Sequence, residues 1–286
     1  MEKRTLLAIV ISIAILLLWN FFFIEPKSPE QPQGQTTQTE QTEPQEQSTV
    51  LQVPLQGQEQ ARQTVSGETV VVETPRYRAQ WSTAGGALTS IQLKDYRQNL
   101  APDSPPVEII ETPMPTVSVN DQPIDSSIVY EVSKRGDSDI PEELVFSAQV
   151  SPGVTLKKIY TIDPQTYIMG YRTVVENGSS SPVTADVDLH LNGVYPLDED
   201  KDGYAFQGPV LLNGNHLEEF KVSKVKKVGV YREFTGEIKW FGFEDKYFLS
   251  AIIPAGSPET TLTIKRISEE MVRLTYDTEP SRIEPG

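Results

Sequence analysis

The chain has 286 residues and a formal net charge of −15, from 40 acidic against 25 basic side chains, enough polymer for one large domain or two small ones. That field repels nucleic acid and anionic headgroups, which need a positive patch before any specific contact forms, so nucleic acid is excluded as a partner. With no cysteine and only two histidines, His190 and His216, disulfides, thiolate catalysis, iron–sulfur clusters and Cys-type zinc sites are excluded, and no metal or other cofactor is expected.

The first predicted element is a membrane anchor. Residues 1–4 carry Lys3 and Arg4, and Thr5 to Ile24 are apolar on every side. As a helix rising ~1.5 Å per residue, such a run of about 20 residues crosses the ~30 Å hydrocarbon core. The basic pair ahead of it and Glu25 behind it place residues 1–4 in the cytoplasm and everything beyond the anchor on the far side. Trp19 and the Phe21 to Phe23 run suit the outer interface. A cleaved signal peptide has a shorter apolar region ending at small residues, whereas this one ends in bulky phenylalanines, so the anchor is read as retained.

Residues 25–65 are rich in Gln, Thr, Glu and Pro with hardly an aromatic. They cannot bury enough apolar surface to offset chain entropy and are read as a disordered linker that acts as a spacer.

From residue 66 to 286 short apolar or alternating runs broken by Gly, Pro and Asn predict an all-β domain. The predicted strands are Thr69 to Glu73, Tyr77 to Trp81, Ala87 to Leu93, Ile128 to Val132, Leu144 to Val150, Leu156 to Ile162, Tyr167 to Val175, Val183 to His190, Val228 to Arg232, Tyr247 to Ile253, Leu262 to Ile267 and Val272 to Tyr276. That number implies two stacked sheets. In the Val183 run, Val183, Ala185, Val187 and Leu189 form an inward face, while Thr184, Asp186, Asp188 and His190 form a wet one. Asn177-Gly178 ahead of Pro182 predicts a hairpin joining this run to the strand before it. Leu217 to Lys227 fits a short helix and a Lys-edged strand equally well.

Chemistry-bearing motifs are few. Asp198-Glu199-Asp200-Lys201-Asp202-Gly203 begins like a calcium loop, but Pro209 stands where the bidentate Glu belongs, so it is read as a solvated acidic turn. Neither histidine neighbours a recognisable nucleophile motif, and no catalytic residue is assigned. The aromatic stretch Trp240 to Leu249 is the most distinctive. Its ordinary reading is core packing. Its functional reading is a docking edge, with Trp240, Phe243 and Tyr247 as candidate partner-binding residues.

The order of basic terminus, anchor, Gln/Thr-rich linker and β domain resembles the N-terminal part of the YidC-type membrane protein insertases of Gram-negative bacteria. Thr74 to Tyr96, with Ala84-Gly85-Gly86-Ala87 leading to Leu93-Lys94-Asp95-Tyr96, is similar to the family's first domain strands, and Phe206-Gln207-Gly208-Pro209-Val210 and Trp240 through Pro254 to later ones. The resemblance implies a periplasmic super-sandwich of mutarotase-like shape at the bacterial inner membrane, with a five-helix insertase core not found in this chain. It also implies that the domain is incomplete at its C-terminus. The implied function is insertion and folding of inner-membrane proteins, alone or with the Sec translocon. The implied partners are the lipid bilayer, Sec translocon components and nascent inner-membrane proteins, with no enzymatic step. The alternative is a self-contained tethered adaptor or carbohydrate-binding module.

Overall fold

A computed structural model describes residues 49–50, 66–110, 112–124, 128–136, 140–195, 206–224, 227–229, 231–256 and 259–286. The anchor at 5–24, nearly all of the linker and the acidic turn at 198–203 lie outside the described residues. Among those described, no helix is long and apolar enough to cross a membrane.

The domain is all β, as its alternating runs predict. In chain order the strands are β1 (Thr49–Val50), β2 (Thr69–Glu73), β3 (Tyr77–Ser82), β4 (Ala87–Arg97), β5 (Pro106–Glu108), β6 (Thr116–Val119), β7 (Gln122–Pro123), β8 (Glu131–Gly136), β9 (Pro141–Ser151) and β10 (Val154–Ile162). They continue with β11 (Met169–Asn177), β12 (Val183–Ala185), β13 (Val187–Val194), β14 (Gly208–Asn213), β15 (His216–Glu219), β16 (Tyr231–Glu244), β17 (Leu249–Ile252), β18 (Glu259–Arg266), β19 (Met271–Tyr276) and β20 (Ser281–Ile283). A single 3-10 turn, Val222–Lys224, is the one helical piece among the described residues. Within the Leu217 to Lys227 stretch, open between helix and strand in the sequence, Leu217 to Glu219 belong to β15 and Val222–Lys224 form the 3-10 turn, while residues 225–226 lie outside the described residues.

Four sheets result. Two are four-stranded, β2-β3-β4-β5 and β11-β10-β9-β8; one is nine-stranded, ordered β15-β14-β16-β18-β19-β13-β6-β7 with β17 paired to β16; and one is a three-stranded β1-β12-β20. Side-chain alternation builds the interior: β3 and β19 bury every second residue, as a strand with one face on a core must. One apolar cluster collects Trp81, Phe146, Leu156 and Tyr160 from the two four-stranded sheets, and a second collects Phe241, Leu262, Ile264 and Leu274 from the large sheet. Met114 and Leu189 touch both.

The Gly85-Gly86 corner ties the first core together. Both glycines have positive φ, 82° and 57°, a conformation that costs an L side chain energy. Their buried carbonyls are taken by β10: the Lys158 ammonium donates to the Gly85 oxygen at 2.7 Å and the Tyr160 hydroxyl to the Gly86 oxygen at 2.9 Å. The Tyr160 ring then meets Trp81 and Phe146 edge-on, at centroid distances of 5.7 and 5.8 Å.

Several expectations are overturned. Four sheets form among the described residues where two stacked ones were expected, because the strand pairings are set by long-range register rather than by strand number. The predicted Val228 to Arg232 strand has a bend and turn at 227–229, with β16 beginning only at Tyr231. The Asn177 loop is not a hairpin, because β11 pairs with β10 whereas β12 pairs with β1 and β20. A two-residue hairpin of the expected type needs positive φ at its central residues, and neither Asn177 nor Gly178 has it. Instead the Asn177 side chain donates to the carbonyls of Ser181 and Ile283, at 2.9 and 3.0 Å, and accepts from Ser179, which steers the chain into another sheet. The two faces expected of the Val183 run hold in β12, where Val183 and Ala185 are buried and Thr184 is half-buried, and fail after it. The run breaks at Asp186 into β12 and β13, and beyond the break Asp188 and His190 are buried while Val187 and Leu189 are half-buried. The polar face looks onto hydroxyls of β6 and β19, described below, rather than onto water.

Tyr160→Phe, which deletes only the hydroxyl, should leave the Gly86 carbonyl buried without this donor and cost about 1–3 kcal/mol, seen as a lower urea midpoint at unchanged slope. Gly86→Ala should cost more than the ~1 kcal/mol of an ordinary glycine site, because its Cβ would also lie 3.2 Å from the Phe146 Cβ.

Candidate functional site

A cleft of about 440 Å³ opens where three elements converge. The first wall is the face of β4, carrying Leu88, Ile91, Leu93 and Tyr96; the second is the start of β11, carrying Met169 and Tyr171 with Tyr167 just ahead; the third is the hairpin end from Tyr247 to Ile252. On β11 Met169 and Tyr171 stand two apart on one face, while on β4 register shifts beside Leu88 and beyond Leu93 set Leu88, Ile91, Leu93 and Tyr96 at uneven spacing along the same space.

The rim is aromatic and hydrogen-bonded. Tyr96 meets the Phe248 ring edge-on at 5.4 Å and the Tyr167 ring at 6.2 Å. The Tyr167 hydroxyl donates to Asp95 at 2.8 Å, and Arg76 donates to the same carboxylate oxygen at 2.9 Å. The Arg76 bond, then the Tyr167 bond, holds the Asp95 carboxyl below its ordinary range. On the opposite side, Asp245 N donates to Phe248 O at 2.8 Å and closes the β16–β17 turn. The Asp245 carboxylate accepts from Gln207 at 2.6 Å and from the Lys246 amide at 2.7 Å. The Lys246 ammonium lies 4.8 Å from the centre of the Tyr247 ring.

A second cavity of about 330 Å³ adjoins the first and shares Ile109, Met114, Tyr247, Phe248 and Ser250 with it. Its chemistry differs: Glu108, Glu244 and Asp245 line it, with no cationic side chain among its described lining. Two of the three carboxylates have partners, since Glu108 accepts from Ser90 and from the Ile91 amide, and Asp245 as above.

The three candidate residues separate. Tyr247 is 75 % exposed and stands on the partition between the cavities. Phe243 borders the acidic cavity but is 9 % exposed and belongs to the second core, its ring 5.7 Å from that of Tyr195. Trp240 is half-buried opposite Leu212 and lines neither cavity. Phe243 is thus packed into a core, and Tyr247 is the one of the three that is exposed at the cavities. Sequence reasoning missed Tyr96, Tyr167 and Phe248 as rim residues. Their one signal was aromatic character at strand ends, which carries no periodicity.

A second group of chemistry-bearing residues was also missed. His190 is buried on β13, with Nε2 3.0 Å from Ser118 Oγ and Nδ1 3.0 Å from Thr275 Oγ1. Asp188 accepts from the Thr278 amide at 2.9 Å. Serine, histidine and aspartate thus meet, but not as a nucleophile and its base. The acid lies beside the serine rather than the imidazole, and neither Ser118 nor His190 lines either cavity. Burial, with the charges of Arg273 and Lys158 adding to it, pushes the imidazole down to about 4, which makes it a weak base. Among the described residues no group of acidic and imidazole side chains is arranged to hold a metal ion.

Comparison with known proteins then gives a consistent result. The family described as the YidC periplasmic domain matches residues 69–286. A membrane protein insertase YidC of Syntrophus aciditrophicus is 28% identical over 312 residues, covering 100% of this chain and 56% of its own length. One from Geobacter metallireducens is 29% identical over 300 residues, covering 100% and 55%. The chain therefore spans about half the length of the curated relatives it matches. Among solved structures, a galactose mutarotase-like protein from Lactobacillus casei aligns with a TM-score of 0.48 at 11% identity, over 77% of this chain and 96% of that one.

The buried polar groups set a pH response with two opposed arms. Burial pushes Asp277 up to about 6, with repulsion from Asp188, Glu233, Asp121 and Asp186 adding to it. A raised carboxyl stabilises the fold fully below its unfolded value near 3.8 and loses that contribution as pH rises through about 6. His190 works the other way: the unfolded imidazole takes its proton first, so stability falls as pH drops from 6.5 towards 4. Asp277→Asn should remove the first arm. Its urea midpoint should match the parent near pH 4, exceed it above pH 6, and rise more steeply between.

Proposed function

This chain belongs to the YidC periplasmic domain family, and from that premise we propose that it is the anchor and periplasmic domain of a membrane protein insertase. The observation that carries the reading is the family match over 69–286 preceded by a Lys-Arg-flanked apolar segment of membrane length. The relatives' name as insertases supports it. In this scheme residues 1–4 lie in the cytoplasm, 5–24 cross the inner membrane, 25–65 act as the spacer, and the β domain stands in the periplasm. The whole protein inserts and folds inner-membrane proteins, alone or with the Sec translocon, and this part contributes the anchor and the periplasmic domain without enzymatic chemistry. The domain supplies a binding and scaffolding surface, with the cleft beside Tyr247 as its contact for nascent membrane proteins or translocon components. The aromatic rim supports that role, since rings give large contact area at low conformational cost.

The absence of cysteine makes the topology directly testable. Leu100→Cys, at a fully exposed position, should react with a membrane-impermeant maleimide in intact spheroplasts, whereas Glu2→Cys should react only after permeabilisation; the reverse pattern would sink the orientation. A photo-cross-linking side chain at Tyr247 should capture newly made membrane proteins or translocon subunits in cells. One at Trp240, outside the cavities, should capture far less. Equal capture at both sites, or none at Tyr247, would count against the cleft as the contact.

A further inference from the structure

The way β17 borders the cleft specifies how a partner is held. All four residues of β17, Leu249, Ser250, Ala251 and Ile252, line the cavity. Successive side chains of a strand point to opposite faces, so four consecutive lining residues mean that the cavity runs along the strand's edge rather than one of its faces. The inner edge of β17 is occupied by β16, in the register Phe243 to Ser250 and Phe241 to Ile252, and among the described residues no strand pairs with its other edge.

Which backbone groups face outward follows from the turn. Asp245 and Phe248 form a hydrogen-bonded pair, and in an antiparallel ladder such pairs alternate with non-bonded ones. Ser250 and Ile252 therefore bond inward to β16, while Leu249 and Ala251 turn their amide and carbonyl groups to the open edge. Leu249 and Ala251 are exposed, as is Ile253 at 74 %. An open edge with apolar side chains is a template for another strand. Natural edges are guarded by inward charges, prolines or bulges; within β17 there is none of these. Gly242 fixes the ribbon, because a Cβ there would overlap the Ser250 carbonyl.

The adjoining acidic cavity adds charge selection. Glu244 sits in it with its carboxylate engaged by no side chain among the described residues, beside Glu108 and Asp245. A cation entering there meets negative charge, and an anion is repelled.

We propose that the cleft takes an extended apolar peptide segment as an added strand on the free edge of β17, with a lysine or arginine next to that segment seated in the acidic cavity. The proposal rests on the reading that the cleft is the domain's contact surface, and specifies the mode and the chemistry of the occupant. Main-chain bonds give affinity that is tolerant of sequence, the apolar cleft selects hydrophobic side chains, and the carboxylates select the flanking charge.

The test uses the full chain in lipid nanodiscs and a fluorescent peptide of alternating valine and threonine with one terminal lysine, read by anisotropy. Saturable binding is expected. Methylating the peptide's alternate backbone nitrogens should weaken it about tenfold or more through the lost main-chain bonds. Ala251→Pro should do the same, since proline deletes an outward donor that no native bond uses. Replacing the peptide's lysine by glutamate should weaken binding, and Glu244→Gln should shrink that difference. Methylated and unmethylated peptides binding alike would overturn strand addition while leaving the cleft as a contact surface. Unchanged affinity in Ala251→Pro would do so as well. No saturable binding by the parent chain would overturn the inference itself, and capture at Tyr247 in cells would still report separately on the wider reading. The methylated peptide leaves the protein untouched, so it decides the matter even where the proline variant fails to fold.

Discussion

Two carbonyl groups at one corner govern how the domain is put together. At Gly85 and Gly86 the chain turns between β3 and β4 in the interior, where a backbone oxygen without a donor costs as much as a lost hydrogen bond. Both donors come from β10, more than seventy residues later in the chain. One is an ammonium with no exposed surface, a group that is tolerated inside a protein only where its protons are engaged. Lys158 also lies 5.4 Å from the Tyr130 ring centre. Satisfying the corner therefore fixes the distance and angle between two sheets. Those same sheets form two walls of the cleft, β4 on one side and β11, which pairs with β10, on the other. The spacing of the cleft walls is thus inherited from hydrogen bonds made well below it.

The nine-stranded sheet solves a different problem. Its β13 carries aspartate, histidine and asparagine where an ordinary half-buried strand would meet water. Hydroxyls from Ser118 and Thr275 and the guanidinium of Arg273, which donates to Asn192 at 2.9 Å, supply partners for this layer. The histidine is held neutral and the nearby carboxyls are pushed up. An imidazole that stays neutral avoids the cost of burying its charge, while the raised carboxyls register that cost as a shift towards their neutral form.

What could be read from the sequence, and what could not, divides along the range of the interactions involved. Thr69 to Glu73 was predicted at the bounds observed, and the Leu144 and Leu156 runs fall inside β9 and β10, because side-chain alternation is local. Pairing is not local. The Asn177-Gly178 signal was genuine for a turn but silent about where the following strand would go, and Ile283, which accepts a bond from Asn177, lies far along the chain. The wet face assigned to Asp188 and His190 failed for a related reason: polarity reads as solvent exposure until the hydroxyls across the sheet are known. Of the residues lining the cavities, Tyr247 was picked out in the sequence because it sits in a dense aromatic run. Tyr96 and Tyr167 were not, since each reaches the rim only when the fold brings Tyr96 to Phe248 and Tyr167 to Tyr96 and Asp95.

The smallest sheet has a mechanical consequence. Strand β12 is flanked by β1 and β20, with Val183 opposite both Thr49 and Ile283. β1 runs parallel to β12 and β20 runs antiparallel, so the chain enters β1 from the same side on which it leaves β20. Entry and exit are then about 10 Å apart, two strand spacings. Both outer strands of this sheet thus share β12 as their support, and the Asn177 side chain, which donates to the Ile283 carbonyl, pins β20 to the loop that leads into β12.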